Sequence, residues 1–285
     1  MKKIADLIQK EDSKQNLQFS SSESKSEETE NQKEVSRYND SVGNLTDYDC
    51  DICHNKGHIM VIQEGYPSLI YCKCAALRRS KQYLKKSGLD HVSEKYSLDT
   101  YLLSEEWQKQ AKLLALDFIS NPVGKSFYVS GQVGSGKTHL CSGIVLNLIE
   151  SGIESRYQIW PELTSYLKRH LYDGDEYLTF INKLQNAPVL YIDDFFKSDT
   201  GKEPSPKDVS IAFEILNFRY NNRDKLVTII SSELSINDLL DIDEAIGSRI
   251  FQMTRGYNIN ISKNIEKNYR LKDDDMEINN GNYKK

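Results

Sequence analysis

Residues 126–138, SFYVSGQVGSGKT, combine the residue types that bind a phosphate chain. The glycines allow backbone conformations that are closed to residues with a Cβ atom, so successive N–H groups can face one anion at the positive end of the following helix. Lys137 is expected to reach the β- and γ-phosphates, and the Thr138 hydroxyl to bind Mg²⁺. A nucleoside triphosphate site is therefore predicted at Gly131, Gln132, Val133, Gly134, Ser135, Gly136, Lys137 and Thr138.

Residues 189–194, VLYIDD, form a second segment whose side chains could take part in catalysis, because four apolar residues are followed by two carboxylates. We expect Asp193 to hold Mg²⁺ through water and Asp194 to polarise the water that attacks the γ-phosphate. A buried strand followed by an acidic turn is the alternative for this segment alone. Its position after the phosphate loop, within one alternating unit, favours hydrolysis of the triphosphate.

Turnover needs two further groups, a polar side chain at the end of the next strand to position water and a cation for the charge of the transition state. The next strand is predicted at residues 226–231, and Ser231, Ser232 and Glu233 stand at its tip. Arg249 follows a Gly-Ser break, where the end of a helix can present it outward. For both groups, the alternative is an ordinary surface position without a role in catalysis.

Four of the five cysteines fall between residues 50 and 74, in the spacings Cys-x₂-Cys and Cys-x-Cys. Disulfides are rare in the cytoplasmic compartment that we expect, so the spacing indicates metal binding or burial. The first pair forms a knuckle, and the second closes a tetrahedron around zinc after a hairpin-like excursion. Cys-x-Cys is the less usual spacing, so His54 and His58 are reserve ligands; reduced buried thiols are the alternative. The predicted zinc ligands are Cys50, Cys53, Cys72 and Cys74.

These sites must be positioned by alternating strands and helices. Apolar residues recur at helical spacing over residues 105–120 and again at Leu140, Ile144 and Leu148. Cys141, on the second of these helices, is expected to be a small buried hydrophobe. Alternation with short apolar strands indicates a parallel sheet covered on both faces. Further strands are predicted at residues 156–159, 189–193, 226–231 and 257–261, and further helices at 162–171 and 207–220.

Composition limits the class of protein. With 285 residues and 38% hydrophobic side chains, the chain can form one full-sized domain and a smaller one. No run approaches the roughly 18 apolar residues of a membrane span, and residues 1–4 lack the apolar core of a signal peptide, so we expect a cytoplasmic protein with no membrane contact. The net charge of −5 argues against bulk nucleic-acid binding. Any DNA contact is therefore expected to be local.

Residues 75–95 contain the one strongly basic patch of the chain, on a short helix that Gly88 breaks. A solvated linker helix and a contact with the backbone of single-stranded DNA are both open. The basic residues concerned are Arg78, Arg79, Lys81, Lys85 and Lys86.

Together these motifs resemble the AAA+ ATPases of the DnaC/DnaI helicase-loader and IstB type, over residues 50 to 270. The resemblance rests on the cysteine spacing and on the stretches SGL (87–89), YSL (96–98), GQVGSGKTHL (131–140), DD (193–194), ILNFRY (215–220) and GSR (247–249). It implies an α/β fold of the P-loop NTPase type, with a five-stranded parallel sheet flanked by helices.

The resemblance also assigns roles to individual residues. It places His139 in the ATP site with the phosphate loop, and we expect the YSL stretch, residues 96–98, to reach the adenine. Arg249 is similar to an arginine finger that reaches the ATP of a neighbouring subunit, which implies a homo-oligomer in the ATP state. Arg270 resembles the late arginine of a sensor 2 position.

One position departs from the family pattern. The family usually ends the fourth strand in Ser-Asn or Thr-Asn, with the Asn positioning water, whereas this chain has Ser231, Ser232 and Glu233. An ionised carboxylate donates no hydrogen bond and adds negative charge near the phosphates. We therefore expect weak basal hydrolysis, unless Ser232 takes over the role.

The predicted function is that of an ATP-dependent loader that delivers a replicative helicase, a DnaB-like hexamer, onto single-stranded DNA, with ATP, Mg²⁺ and Zn²⁺ as cofactors. The alternatives are a transposition-helper ATPase that marks target DNA and a zinc-bearing adaptor with a structural ATP site. The cysteine knuckle favours the loader, and the intact Lys137, Thr138 and Asp193 argue against the adaptor.

The predicted organisation has five parts. The N-terminal segment is expected to be disordered, because it is polar and buries too little apolar surface. Loss of zinc is expected to unfold only the N-terminal module. The parts are a disordered acidic segment (1–47), a zinc-binding module (48–76), a basic linker helix (77–95), the AAA+ domain (96–271) and a C-terminal tail (272–285).

Overall fold

An antiparallel hairpin and two helices form the N-terminal part of the structure, a computed structural model that describes residues 29–46, 49–86, 95–197 and 203–269. Both residues of the hairpin turn, Glu64 and Gly65, have positive φ angles, as two-residue hairpin turns require. The elements are α1 (Glu30–Asp40), β1 (His58–Gln63), β2 (Tyr66–Tyr71) and α2 (Cys74–Lys86).

Helix α1 lies in the N-terminal segment that was predicted to be disordered, so that prediction is wrong for residues 30–40. A capping box at Thr29 starts the helix in spite of its polar composition. The side-chain amide of Asn39 pairs with both the N–H and the C=O of Met60 on β1, each at 2.9 Å. This contact fixes α1 on the hairpin. Residues 1–28 lie outside the described part of the chain.

Five strands of the C-terminal part form one parallel sheet with the order β4-β5-β6-β3-β7. β3 and β6 are buried along their whole length, and so is β5 except at Asp194. Such apolar runs are typical of a sheet covered on both faces. The strands are β3 (Phe127–Gly131), β4 (Ser155–Ile159), β5 (Val189–Phe195), β6 (Val227–Ser232) and β7 (Asn258–Ile261).

Helices cover both faces of this sheet, which gives three layers and two cores. One face carries α3 (Glu106–Ser120) and α4 (Lys137–Glu150). The other face carries α5 (Trp160–Arg169), α6 (Gly174–Gln185), α7 (Pro206–Asn221), α8 (Ile236–Ile242) and α9 (Glu244–Met253). The predicted α/β class is confirmed, and the elements predicted from residue 105 onward agree to within two residues at each end.

The sequence analysis did not predict α6, α8 or α9. Cys141 on α4 is fully buried, as expected, and burial raises the pKa of its thiol well above the ordinary value. Within the described ranges, no helix is long and apolar enough to cross a membrane.

Candidate functional site

The phosphate loop is the turn between the end of β3 and the start of α4. Gly134 and Gly136 have φ angles of 74° and 85°, and Gly136 is the N-cap of α4. A Cβ atom on Gly134 would lie 1.9 Å from Oδ1 of Asn268, so both backbone angle and space require glycine there. The loop therefore has the backbone shape and the helix N-terminus that an anion site needs.

Lys137 is buried in this loop, and its Nζ donates to the carbonyls of Gly131 and Gln132, each at 2.8 Å. Burial lowers the pKa of Lys137, although Glu233 and the two aspartates of β5 act to raise it. The ammonium group is thus held beside the loop backbone that the predicted phosphates would contact.

A cavity of about 400 Å³ opens over the loop. It is large enough for a ligand of nucleotide size to be partly enclosed. Gly131, Gln132 and Asp193 do not line it, whereas the other predicted loop residues do. Its walls are Lys95, Tyr96, Thr100, Leu102, Val133, Gly134, Ser135, Gly136, Lys137, Thr138, His139, Asp194, Lys197, Glu233 and Tyr269.

The predicted magnesium ligands lie side by side, since the Thr138 hydroxyl donates to Oδ1 of Asp193 at 3.2 Å. Two further residues fix this carboxylate: Tyr157, which the sequence analysis missed, and Ser231, which it named only as a candidate for positioning water. Tyr157, on β4, donates to its Oδ2 at 3.0 Å, and Ser231, on β6, donates to its Oδ1. Burial, together with Asp193, raises the pKa of Tyr157, which keeps the phenol a donor. This oxygen-rich pair fits the preference of Mg²⁺ for hard ligands.

Asp194 follows at an irregularity in the pairing of β5 with β6, where it adopts a φ of 52°. Its Oδ2 forms an ion pair of 2.9 Å with Lys197, whose Nζ is also 3.4 Å from Oε1 of Glu233. Burial acts to lower the pKa of Lys197, but Asp194 and Glu233 raise it overall. The charge of Glu233 is therefore paired, whereas the prediction of weak hydrolysis treated it as isolated.

Ser232 does not act in the cavity. Its buried hydroxyl donates to the carbonyl of Phe195 at 2.7 Å and accepts from the N–H of Leu234 at 3.1 Å. These bonds hold the bend after β6. The suggestion that Ser232 replaces the missing amide is therefore wrong.

Arg249 lies in the middle of α9 and not at a helix end, which corrects the sequence analysis. Its guanidinium donates to Asn217 at 3.1 Å and to the carbonyl of Ala245 at 2.8 Å, and it stacks over the ring of Phe213. It does not line the cavity of its own chain. Arg270, the proposed sensor 2 residue, lies outside the described residues.

His139 closes the far side of the cavity. Its Nε2 lies 2.9 Å from the carbonyl of Ser97, and its ring stacks on Tyr96 with centroids 5.1 Å apart. Burial lowers the pKa of His139, so the ring is neutral at pH 7. Both rings line the cavity, which agrees with the expected position of the base; the adenine contact itself stays a prediction.

The four predicted zinc ligands converge at the base of the hairpin, with all Sγ atoms within 4.8 Å of one another. The Cys50–Cys72 and Cys53–Cys74 sulfur pairs are 3.8 and 3.4 Å apart. A tetrahedron with zinc–sulfur bonds of about 2.3 Å places its sulfurs roughly 3.8 Å apart, so the donor set fits zinc. The cluster contains neither reserve histidine.

The surroundings favour the thiolate form of Cys53, whereas burial and the neighbouring thiols raise the pKa of Cys72, and raise that of Cys74 to about 12. Burial raises the pKa of the Cys53 thiol, but the N–H of Gly57, at 3.3 Å, and the neighbouring thiols lower it to about 6. Asn55 accepts from the N–H of Cys50 and from Arg78. Such surrounding contacts orient metal ligands in known sites.

The basic helix is partly used for packing. Arg78 is only 5% exposed, and Arg79 forms an ion pair of 3.0 Å with Glu154 at the start of β4. Arg78 is therefore buried against its surroundings, whereas Arg79 stays on the solvated face, with its side chain 48% exposed. Lys81 and Lys85 are exposed.

The fold and the cavity define a P-loop ATPase of the AAA+ class. In its parallel sheet the phosphate loop follows β3, and the acidic pair lies near the end of β5, which is separated from β3 by β6. The sequence pattern of the family described as "IstB-like ATP binding protein" matches residues 73–252, more than half of the chain. The protein belongs to this family, and it is an ATPase. The predicted resemblance is thus confirmed.

Two proteins of Bacillus subtilis (strain 168) are similar in sequence. "Phage-like element PBSX protein XkdC" is 31% identical over 79% of this chain and 86% of its own length. "Uncharacterized protein YqaM" is 34% identical over 71% of this chain, which spans only 66% of that relative. Among solved structures, the "DnaC helicase loader" superposes with a TM-score of 0.50 at 24% identity, over 59% of this chain and 98% of that one. The comparison with the DnaC structure shows a similarity of fold alone.

Proposed function

We propose that the protein is an ATP-dependent DNA replication protein that loads a replicative helicase onto single-stranded DNA. The four-cysteine cluster is the main support for the proposal. It would form a metal-binding module, which α2 connects directly to an IstB-type ATPase domain. The similarity of fold to a helicase loader supports the same function. A transposition helper that marks target DNA is the second candidate, which the family name favours.

The hydrolysis chemistry follows from the arrangement of the site. Lys137 would bind the β- and γ-phosphates, and Thr138 and Asp193 would hold Mg²⁺, which would offset the negative charge of the phosphates. Asp194 accepts a proton from the attacking water while the bond from the γ-phosphorus to the bridging oxygen of ADP breaks. ATP binding and hydrolysis then act as the switch between the helicase-bound and released states.

The hairpin offers a surface for the helicase. Ile62, Leu69 and Tyr71 lie on one face of the β1–β2 ribbon, and their side chains are 43%, 55% and 72% exposed. An exposed apolar patch of this kind is typical of a protein–protein contact. We propose that zinc bound by Cys50, Cys53, Cys72 and Cys74 fixes this face, and that Lys81 and Lys85 of α2 approach the phosphates of single-stranded DNA.

A loading assay tests the proposal. Purified protein is mixed with the replicative helicase of its native cell and a closed circle of single-stranded DNA, with ATP or with ADP. We expect ATP-dependent retention of helicase on the circle, which has no free end to thread. Leu69→Asp is expected to abolish retention with unchanged ATP affinity. Failure to form a helicase complex in either nucleotide state, together with ATP-dependent binding to duplex DNA, would favour the transposition helper.

A further inference from the structure

Lys197 lies between two carboxylates that line the nucleotide cavity. We propose that Lys197 is a positioning residue for ATP hydrolysis, which orients the Asp194 carboxylate and is itself held by Glu233. The proposal rests on the role given above to Asp194 and is independent of any helicase. It also gives Glu233 a function, in a position where the sequence comparison expected a neutral amide.

The backbone of Asp194 is fixed before its side chain is oriented. The residue has a left-handed φ of 52°, and its N–H donates to Oδ1 of Asp193 at 3.1 Å and to Oγ of Ser231 at 3.3 Å. Lys197 then binds Oδ2 at 2.9 Å. Across the described ranges, no hydrogen bond ends on Oδ1 of Asp194. One carboxylate oxygen is thus anchored, and the other can accept the proton of a water molecule.

Glu233 is a second anchor for the ammonium group of Lys197, with its Oε1 3.4 Å from Nζ. The three side chains are comparably exposed, at 30% for Asp194, 39% for Lys197 and 36% for Glu233, so solvent reaches them all. A lysine side chain with several rotatable bonds is poorly fixed by a single exposed ion pair. Ion pairs with two carboxylates restrict it more. Asp194, Lys197 and Glu233 together carry a net charge of −1, whereas the two carboxylates without the lysine would place a charge of −2 beside the phosphates.

In the reaction, Lys197 stays protonated and transfers nothing. The water oxygen bonds to the γ-phosphorus, its proton moves to Oδ1 of Asp194, and the bond to the bridging oxygen breaks, so that oxygen leaves on ADP with the electron pair. Misplacement of a reacting group by about 1 Å can cost on the order of 100-fold in rate. Loss of Lys197 is therefore expected to affect turnover more than binding.

The test compares Lys197→Met with Lys168→Met in the isolated full-length chain. Lys168 is a matched control, because it forms an ion pair of 2.7 Å with Asp208, is 37% exposed and does not line the nucleotide cavity. We expect Lys197→Met to lower kcat at least about tenfold and to weaken ADP–aluminium fluoride binding equally, with AMPPNP affinity within about threefold of wild type. Lys197→Arg restores most of kcat, and Lys168→Met changes neither quantity.

A double-mutant cycle tests the role of Glu233. Glu233→Gln alone is expected to lower kcat about threefold, and to have no further effect in the Lys197→Met background. Thermal unfolding of every variant checks that the fold persists. The proposal is overturned if Lys197→Met leaves kcat unchanged, raises it, or lowers AMPPNP affinity as much as kcat. Asp194→Asn with full activity would instead refute the role of Asp194.

Discussion

At the scale of single residues, Lys137 is the group on which nucleotide binding depends most. Its Nζ is already held by two loop carbonyls, so binding only redirects an ordered ammonium group toward the phosphates. Hydrogen bonds to charged groups contribute roughly 1.5–3 kcal/mol each. We expect Lys137→Ala to weaken Mg²⁺–ATP binding by at least about 100-fold in a fluorescent-nucleotide titration. Equal affinities of wild type and variant would refute the assignment of the phosphate site.

Arg219 is a residue whose role is structural and was not recognised in the sequence. It is fully buried between α7 and the sheet, and burial lowers its pKa to about 9, which leaves it charged at neutral pH. Its acceptors are the Thr228 hydroxyl and the carbonyls of Leu184, Gln185, Ala187 and Val227.

Arg219→Met leaves these acceptors unsatisfied in the core. Each such group costs about 1–3 kcal/mol, so we expect the free energy of unfolding in urea to fall by about 3 kcal/mol or more. Arg223→Met is the control, because Arg223 is exposed, and its contacts in the described part of the chain are with the carbonyl and the ring of Tyr220. Its effect is expected to stay within about 0.5 kcal/mol. Similar stabilities of the two variants would show that the buried network contributes little.

At the scale of elements, α2 connects the four-cysteine cluster to the ATPase domain. Its first residue, Cys74, is a predicted ligand, and one turn later Leu77 is buried in the core that α3 and α4 share. Arg79 adds its ion pair with Glu154. The expectation that zinc loss affects only the N-terminal module is therefore too narrow, because the helix belongs to both parts.

Zinc removal is expected to release α2 from the ATPase domain. The binding of structural zinc contributes about 10–16 kcal/mol to the folding free energy of small modules. The packing contacts of a short hairpin do not compensate for the loss of that contribution. Hydrogen exchange after chelation should show lost protection in β1, β2 and α2, and unchanged protection in β3 and β5. Cys74→Ser should lose zinc, and Cys141→Ser should keep it. Full protection of α2 in zinc-free protein would contradict the coupling.

At the scale of the whole molecule, Arg249 does not line the cavity of its own chain, and its guanidinium lies over the rings of Phe213 and Tyr220. This position leaves two possibilities for its function. Either it reaches the ATP of a second subunit, as the resemblance implies, or its bonds to Asn217 and Ala245 only stabilise α9. An arginine finger in trans is worth roughly 10³–10⁵ in turnover in related sites.

Mixing two inactive variants separates these possibilities. Arg249→Ala keeps its ATP site, and Lys137→Ala keeps its arginine. Under conditions that promote assembly, with helicase and single-stranded DNA, we expect the mixture to regain ATPase activity. If co-assembled subunits stay as inactive as each alone, the role of Arg249 in trans is wrong. A lowered melting temperature of Arg249→Ala would then support the stabilising role.

The sequence alone determined the features that consecutive or regularly spaced residues create. The phosphate loop is contained in residues 131–138, because one turn supplies all the groups that face one anion. The four-cysteine cluster, the apolar strands and the main helices follow from local spacing in the same way. The hydrophobic periods specify which face of each element is buried, and so the α/β class.

Only the tertiary structure decided which distant side chains meet. The sheet order places β5 between β4 and β6, and this brings Tyr157 and Ser231 to the two oxygens of Asp193. The pairing of Lys197 with Glu233 depends in the same way on the bend after β5 and the tip of β6. No spacing within one segment specifies such contacts, because they depend on the order and register in which the strands assemble.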